Sequence, residues 1–154
     1  MFTYEIRGLK EMGDELSRLP GKIARRMLAA SVRKGAVLIR TEARASAPIG
    51  TKTYKDYRGK THRPGLLRKY GIVHKKLRPK NWQTTALYGI GFSKRGFYGR
   101  WVEKGKNKKH RQEPHPIIVP AMERRAIEAI EEIKNELGIQ LDLLIKEIPG
   151  VTKA

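Results

Sequence analysis

The chain has 154 residues, the size of one domain, so we predict a single domain spanning residues 1–154. Hydrophobic residues make up 39% and charged residues 32%, which excludes a disordered or membrane-spanning composition. Cysteine is absent, which excludes disulfide frameworks, thiolate nucleophiles and cysteine-based zinc sites. The first residues lack a signal-peptide pattern, so we expect the protein to stay in the cytoplasm where it is made.

The positive charge is concentrated in the middle of the chain. Lys and Arg number 34 against 15 Asp and Glu, a formal net charge of +19. Residues 50–111 hold 19 of these cations and only two acids, so this stretch is the expected interaction region. A positive charge of this size attracts polyanions, and the partner could be either nucleic acid or an acidic protein surface.

The N-terminal third is predicted to be helical after a short alternating strand at residues 2–6. A helical pattern runs from Gly8 to Leu19, Pro20 interrupts it, and a long Ala-, Leu- and Arg-rich helix follows over residues 22–47. One arc of the long helix is predicted to face the core: Ala24, Met27, Leu28, Ser31, Val32, Gly35, Leu38, Ile39 and Glu42. Its opposite side carries a basic stripe: Lys22, Arg26, Arg33, Arg40 and Arg44. This stripe is either a solvated face or a surface for DNA or an acidic neighbour.

The central region is predicted to contain a long basic loop at residues 50–65 and then a small β hairpin. Its strands are expected at Leu66–His74 and Thr84–Ser93, joined by a turn near residues 79–81. A short element at residues 96–103 leads into a second basic loop at 104–115.

The C-terminal part is predicted to run extended over residues 116–120, because each proline disfavours helix at the residue before it. A long helix is then expected to begin at Pro120 or Ala121, and residues 149–154 are expected to form a tail. The buried face of the long helix is predicted to hold Met122, Ala126, Ile130, Ile133, Leu137, Leu141, Leu144 and Ile148. The fold class is therefore α+β, with long N-terminal and C-terminal helices packed on a small central antiparallel sheet and with long basic loops.

Residues that commonly carry catalysis or bind metals are present without the spacing that such chemistry needs. His62, His74, His110 and His115 form no metal-ligand motif, and Gly89 and Gly91 lie within a strand pattern without a following helix. The carboxylates of the last helix alternate with cations, as is usual on an exposed helix. We therefore predict no catalytic residue, no metal and no cofactor.

The two basic loops are the better candidates for function. The first interleaves aromatic rings and cations, which suits contact with nucleic-acid backbones or bases, although a loop that orders only on a partner is equally consistent. The predicted contact residues of the first loop are Lys52, Tyr54, Lys55, Tyr57, Arg58 and Lys60. Those of the second, which is either a phosphate-binding patch or a solubilising loop, are Lys104, Lys106, Lys108, Lys109 and Arg111.

An ordered series of short motifs resembles the head–tail joining or tail-completion proteins in the neck of lambda-like long-tailed phages. The N-terminal matches are Gly8-Leu9, Ala47-Pro48 and Gly65-Leu66-Leu67-Arg68. The later matches are Tyr98, Val102-Glu103-Lys104-Gly105 and Pro116-Ile117-Ile118-Val119-Pro120-Ala121. The sequence departs from the family pattern at Lys106 and Ile117, where Thr and Phe are usual, and its first loop is longer than in compact members.

The resemblance implies a structural virion protein that forms or joins a ring between the DNA-filled head and the tail. The implied partners are further copies of the chain, the connector, the tail terminator and the DNA in the channel, and no membrane. The motif residues implied in interfaces are Tyr98, Val102, Glu103, Gly105, Pro116, Ile117 and Pro120. Val102, Ile117, Ile118 and Val119 are candidate buried anchors. The alternatives are a basic nucleic-acid-binding module whose central loops contact phosphates, and a small nuclease or toxin that would need His62 and His110.

Overall fold

The long helix of the N-terminal half lies between a second long helix and a small sheet. The computed structural model describes residues 9–51, 53–55, 59, 61–78, 85–105 and 113–147. Its helices are α1 (Leu9–Arg18), α2 (Gly21–Ser46), α3 (Gly99–Lys104) and α4 (Ile118–Glu147). Its strands are β1 (Tyr54–Lys55), β2 (Thr61–His62), β3 (Ile72–Leu77) and β4 (Leu87–Phe92), with a π-helical turn at Leu67–Gly71 and a 3₁₀ turn at Lys94–Gly96. This arrangement confirms the predicted α+β class.

Helix α2 is buried on two sides. Met27, Ser31 and Gly35 are buried on one side, and Ala29, Ala36 and Ala43 on the other. The predicted arc contained the first set and missed the second, because alanines that pack against a sheet do not stand out in a hydrophobic pattern. Glu42, placed in that arc, is half-buried and instead forms ion pairs with Arg124 and Arg125 of α4.

Helices α2 and α4 pack closely at Gly35. A Cβ atom added at Gly35 would lie 2.8 Å from the carbonyl oxygen of Ala129 and 2.8 Å from the side chain of Ile133. Real Cβ atoms do not approach other atoms this closely, so the helix contact at this position requires glycine.

The larger sheet pairs β3 with β4 antiparallel, from Ile72 opposite Phe92 to Leu77 opposite Leu87. The predicted antiparallel pairing is thus confirmed, and the predicted turn at residues 79–81 lies outside the described residues. The predicted first strand began too early, because residues 67–71 form a helical turn. In a strand, Leu67 and Arg68 would point to opposite faces, whereas the turn buries Leu67 and brings Arg68 to the end of α2.

The predicted loop at residues 50–65 contains β1 and β2, which pair Tyr54 with His62 and Lys55 with Thr61. The predicted strand at residues 2–6 and the tail at 149–154 lie outside the described residues. So does Ile148 of the predicted α4 face. The rest of that face is corrected at Met122, which is exposed, while Ala121 and Ala129 are buried.

Two apolar clusters form the core. One lies near the sheet and consists of Ala43, Ala47, Leu67, Ile72, Ile117 and Ala121, with Ile90, Phe92, Tyr98 and Val102 packed against it. The other joins α1 to the two long helices and consists of Met27, Leu137 and Leu141, with Met12, Leu16, Leu19 and Leu144 packed against it. Several residues of the family motifs lie in or against the first cluster, namely Ala47, Leu67, Tyr98, Val102, Ile117 and Ala121.

Candidate assembly surface

Glu103 forms the N-terminal cap of helix α4. Its Oε2 accepts a hydrogen bond from the backbone N–H of Ile117 at 2.8 Å, and both carboxylate oxygens lie 3.2 Å from the backbone nitrogen of Ile118. A carboxylate at this position satisfies helix N–H groups that have no partner within the helix and interacts favourably with the helix dipole. The cap also explains why α4 begins at Ile118, two or three residues before the predicted start at Pro120 or Ala121.

The predicted extended stretch therefore ends at Ile117, and Val119 and Pro120 belong to the first turn of α4. Pro120 is tolerated there because the N–H groups of the first turn need no partner within the helix. Val119 is therefore helical although proline usually disfavours helix at the residue before it.

Arg68 caps the other long helix at its C-terminus. Its Nε donates a hydrogen bond to the carbonyl oxygen of Arg44 at 3.0 Å, and its terminal nitrogen donates to the carbonyl oxygen of Ala45. The last carbonyls of a helix lack partners within it, and a cation there also complements the dipole. Two of the short family motifs thus hold the ends of α2 and α4.

Most of the remaining motif residues pack inside the chain. Ile117 is fully buried in the cluster near the sheet, Val102 and Tyr98 are half-buried against that cluster, and Gly105 ends α3 with a positive φ of 76°. Ile117 has no surface to offer a neighbour, so the structure places this candidate anchor in the chain's own core. The other proposed anchors differ: Val119 is 57% exposed and Ile118 is half-buried.

The backbones of the π-helical turn and the 3₁₀ turn touch each other. A Cβ atom added at Gly96 would lie 2.3 Å from the Cα of Gly71, so the contact requires glycine at residue 96. The Ser93 backbone N–H donates to the carbonyl oxygen of Gly71 at 2.7 Å, and the Ser93 hydroxyl donates to that of Tyr70 at 2.8 Å. These contacts form a closely packed base under the side chains that the two turns present.

That base presents three exposed aromatic residues, here named the aromatic patch: Tyr70, Phe97 and Trp101. Phe97 is 57% exposed, and its ring packs edge-to-face on Trp101 with centroids 5.4 Å apart. Two cations lie against the Tyr70 ring: Lys69 Nζ at 5.2 Å from its centroid and the Arg95 guanidinium at 5.8 Å. Large exposed aromatic side chains with adjacent arginine are typical of the central contacts of protein interfaces.

The basic stripe of α2 divides along its length. Lys22, Arg26 and Arg33 are exposed, whereas Arg40 and Arg44 lie against β3 and are half-buried. Arg44 Nε donates to the carbonyl oxygen of Ile72 at 2.9 Å, and Arg40 lies 3.1 Å from Nδ1 of His74. The end of the stripe near β3 therefore connects the helix to the sheet, a role that neither interpretation of the stripe anticipated.

Burial and the neighbouring guanidinium groups of Arg40, Arg33 and Arg44 lower the pKa of His74 below 6.5. Because Arg40 can only donate, the hydrogen bond between them requires an unprotonated Nδ1 on His74. Burial and the nearby Arg44 and Arg33 also lower the pKa of Arg40. His74 is thus a neutral acceptor within a basic cluster.

A groove of about 1000 Å³ lies between α2 and α4, and we name it the glutamate groove. Its apolar lining comes from small and medium side chains, namely Ala30, Val37, Leu38 and Ala45. Four carboxylates and three cations line it as well, namely Glu42, Glu128, Glu132, Glu136, Arg33, Lys34 and Arg125. Ion pairs bridge the two helices near its ends, between Lys34 and Glu136 and between Glu42 and Arg125.

Few of the predicted loop contacts fall within the described residues. Lys55 lies exposed in β1, Lys104 lies exposed at the end of α3, and Tyr54 belongs to β1. The remaining predicted contacts lie outside the described residues: Lys52, Tyr57, Arg58, Lys60, Lys106, Lys108, Lys109 and Arg111. Their role in binding a partner or DNA stays a prediction.

No group of three or more histidines and carboxylates in the described part of the chain is arranged to hold a metal ion. His74 is half-buried on β3, where it contacts Arg40 of α2, and His115 donates its backbone N–H to the carbonyl oxygen of Val102 at 2.7 Å. His110 lies outside the described residues. Across the ranges that the structure describes, no helix is long and apolar enough to cross a membrane.

Sequence reasoning missed the aromatic patch and the glutamate groove. The patch had a signal in Phe97, Tyr98 and Trp101, three aromatic residues among glycines and cations. Which of these rings is exposed depends on the packing of the turns, since Tyr98 points towards the core. The groove had no sequence signal, because it exists only where two distant helices run side by side.

The described residues thus combine two capped long helices with an exposed aromatic patch beside the family motifs. The chain matches the family described as “Bacteriophage HK97-gp10, putative tail-component” over residues 10–105. That match covers more than half of the chain, so the chain belongs to this family of phage tail components. No match is found among curated proteins or among solved structures.

Family membership confirms the resemblance to phage head–tail joining and tail proteins that the ordered motifs indicated. It supports a structural role in a phage, with other tail or neck proteins as partners and the virion as location. The matched segment contains the aromatic patch and ends at Gly105, just after the residue that caps α4.

Proposed function

We propose that this chain is a structural component of the phage neck that joins the head connector to the tail and completes the tail, assembling as a ring around the DNA channel. The observation that carries the proposal is the exposed aromatic patch on its closely packed base, within the segment that matches the tail-component family. Preformed aromatic anchors lose little conformational entropy on binding, which suits a protein that acts by docking.

The basic loops are proposed to contact acidic rings of neighbouring virion proteins or the phosphates of DNA in the channel. Residues 50–111 hold the excess positive charge, and the described cations Lys55 and Lys104 are exposed there. Such charges raise association rates with acidic surfaces and fix orientation more than they add affinity.

The second candidate function is a nucleic-acid-binding module, favoured by the net charge of +19 and its concentration in residues 50–111. A protein that binds DNA through phosphates loses affinity steeply as salt rises, with a slope set by the number of phosphates contacted. Absence of duplex binding at moderate salt would exclude this candidate and leave the assembly role.

The assembly role is tested in a phage or prophage whose copy of this gene is deleted and replaced by variants. We expect Phe97→Ser/Trp101→Ser to yield DNA-filled heads and separate tails, counted by electron microscopy, because the anchors of the joint are removed. The matched control, Ile139→Ser/Leu143→Ser, changes two apolar residues of α4 that are similarly exposed and lie outside the patch. Normal yields of joined particles without the patch anchors, from a variant that folds normally, would overturn the proposal.

A further inference from the structure

Two surfaces of the described fold differ in charge. Helix α4 carries seven of the fifteen acidic residues of the chain against four Lys and Arg, whereas the whole chain has more than two cations for each acid. The glutamate groove is the place where α4 presents several of these carboxylates beside an apolar lining. The aromatic patch combines apolar rings with exposed cations, whereas the groove combines an apolar lining with four carboxylates and three cations, so the net charge of its lining is opposite in sign to that of the patch.

The patch and the groove are built from different elements and share no residue. The patch belongs to the two turns and α3, and the groove belongs to α2 and α4. A contact between two such surfaces on separate copies is heterologous, since each copy uses one surface towards one neighbour and the other surface towards the next. We propose that copies of this chain associate head to tail, with the aromatic patch of one copy seated in the glutamate groove of the next.

The chemistry of each side fits this pairing. Phe97 and Trp101 supply the apolar contact to Val37 and Leu38 of the neighbouring copy, and the cations around the patch, including Arg95 and Arg100, approach the glutamates. Glu132, which lies between Glu128 and Glu136 along α4, interacts electrostatically with Lys34, while the other three groove glutamates form ion pairs within the chain. The anchors supply affinity and the charges supply orientation.

Nucleic acid suits the aromatic patch less well than a protein does. Stacking of bases needs an open ring face. Lys69 and Arg95 lie against the Tyr70 ring, and the edge-to-face packing of Phe97 on Trp101 directs one ring into the face of the other. We therefore assign the patch to a protein partner, a second copy of this chain.

This inference rests on the proposed virion role and is tested on the purified full-length chain by sedimentation velocity over a range of concentrations. We expect the unchanged chain to form dimers and larger species that dissociate as ionic strength rises, because the complementary charges are solvent-exposed. A patch variant, Phe97→Ser/Trp101→Ser, and a groove variant, Glu128→Lys/Glu132→Lys, are each expected to weaken self-association at least tenfold.

Mixing the two variants gives the decisive result. A patch variant retains its groove and a groove variant retains its patch, so an equimolar mixture should form a heterodimer and nothing larger. The control Glu123→Lys/Glu131→Lys makes the same charge change on α4 outside the groove and should associate as the unchanged chain does. Circular dichroism verifies that each variant is folded.

Three outcomes would overturn the head-to-tail contact: a monomeric unchanged chain, a mixture that stays monomeric, or a patch variant that loses single-stranded DNA binding but not self-association. The virion role is judged separately, by the joining of heads to tails. If the chain stays monomeric while its deletion still leaves heads and tails apart, the self-association is wrong and the virion role stands.

Discussion

Glu103 holds the backbone N–H of Ile117 with a 2.8 Å hydrogen bond, and Ile117 in turn is fully buried against the sheet. Glu103 of α3 therefore fixes where α4 begins, and the buried side chain of Ile117 anchors the start of α4 in the core. The burial of Ile117 contributes about 1.5–3 kcal/mol to the free energy of unfolding. The aromatic patch lies on and beside α3, so the same contact holds the patch in place relative to the two long helices.

Replacing Glu103 should weaken the whole fold through this contact. We expect Glu103→Ala to lower the free energy of unfolding by about 1–3 kcal/mol, because two backbone N–H groups at the start of α4 lose their acceptor. Denaturant unfolding followed by circular dichroism measures the change. The control is Glu131→Ala, which removes an exposed carboxylate within α4 and should change stability little. Equal stabilities for the two variants would disprove the capping role.

Gly35 of α2 and Gly138 of α4 should respond in opposite directions to the same substitution. Gly35→Ala is expected to lower the free energy of unfolding by about 1–3 kcal/mol, because its Cβ would meet Ala129 and Ile133 at 2.8 Å. At Gly138 the nearest atom is Met12 Cε at 3.7 Å, an ordinary contact, so Gly138→Ala should raise stability by roughly 0.5–1 kcal/mol through helix propensity. Thermal melting of both variants measures the difference, and a shared sign would contradict the close packing at Gly35.

Stability should fall on mild acidification because of His74. Burial and the guanidinium groups of Arg40, Arg33 and Arg44 hold its pKa below 6.5, so the unfolded chain takes up the proton first. The free energy of unfolding is therefore expected to decrease as the pH drops below about 6.5 towards the lower pKa of the folded protein. Hydrogen bonds to Arg125 and Lys34 lower the pKa values of Glu42 and Glu136 from 4.5, so those carboxylates affect stability only at more acidic pH.

The variant His74→Gln isolates this effect, because glutamine still offers an oxygen to Arg40 and does not titrate. Unfolding of the two proteins at about pH 5.5 and 7.5 should show a smaller decrease on acidification for the variant. An unchanged decrease would assign the pH dependence to another group.

The second basic loop should be needed for assembly. Changing Lys106, Lys108, Lys109 and Arg111 to Ser is expected to leave heads and tails unjoined in the complementation assay, because the loop loses its charge towards acidic rings or phosphates. The control changes four exposed cations elsewhere, namely Lys10, Lys22, Arg26 and Lys146, and removes the same total charge. Equal defects in both would indicate that only the net charge matters, and normal assembly in both would remove the loop from the function.

The amino-acid sequence by itself was sufficient to predict the fold class, the two long helices, the antiparallel pairing of the central strands and the phage family. These features depend on local propensity, periodicity and the order of short motifs, all of which are present in the linear chain. The same information placed the positive charge in residues 50–111. The motif residues Arg68 and Glu103 were recognised by resemblance, without the physical reason for their presence.

Only the tertiary structure showed that Arg68 and Glu103 cap the long helices, that Arg40 meets His74, and that Leu67 begins a helical turn instead of a strand. The capping contacts and the Arg40–His74 contact join residues far apart in the chain, and the burial of Leu67 in the core overrides the local preference of its segment for a strand. The exposed side of the Phe97–Trp101 pair and the groove between α2 and α4 arise in the same way. They depend on which faces the helices and turns bury against one another, and a periodic pattern in one segment carries no information about the face of its neighbour.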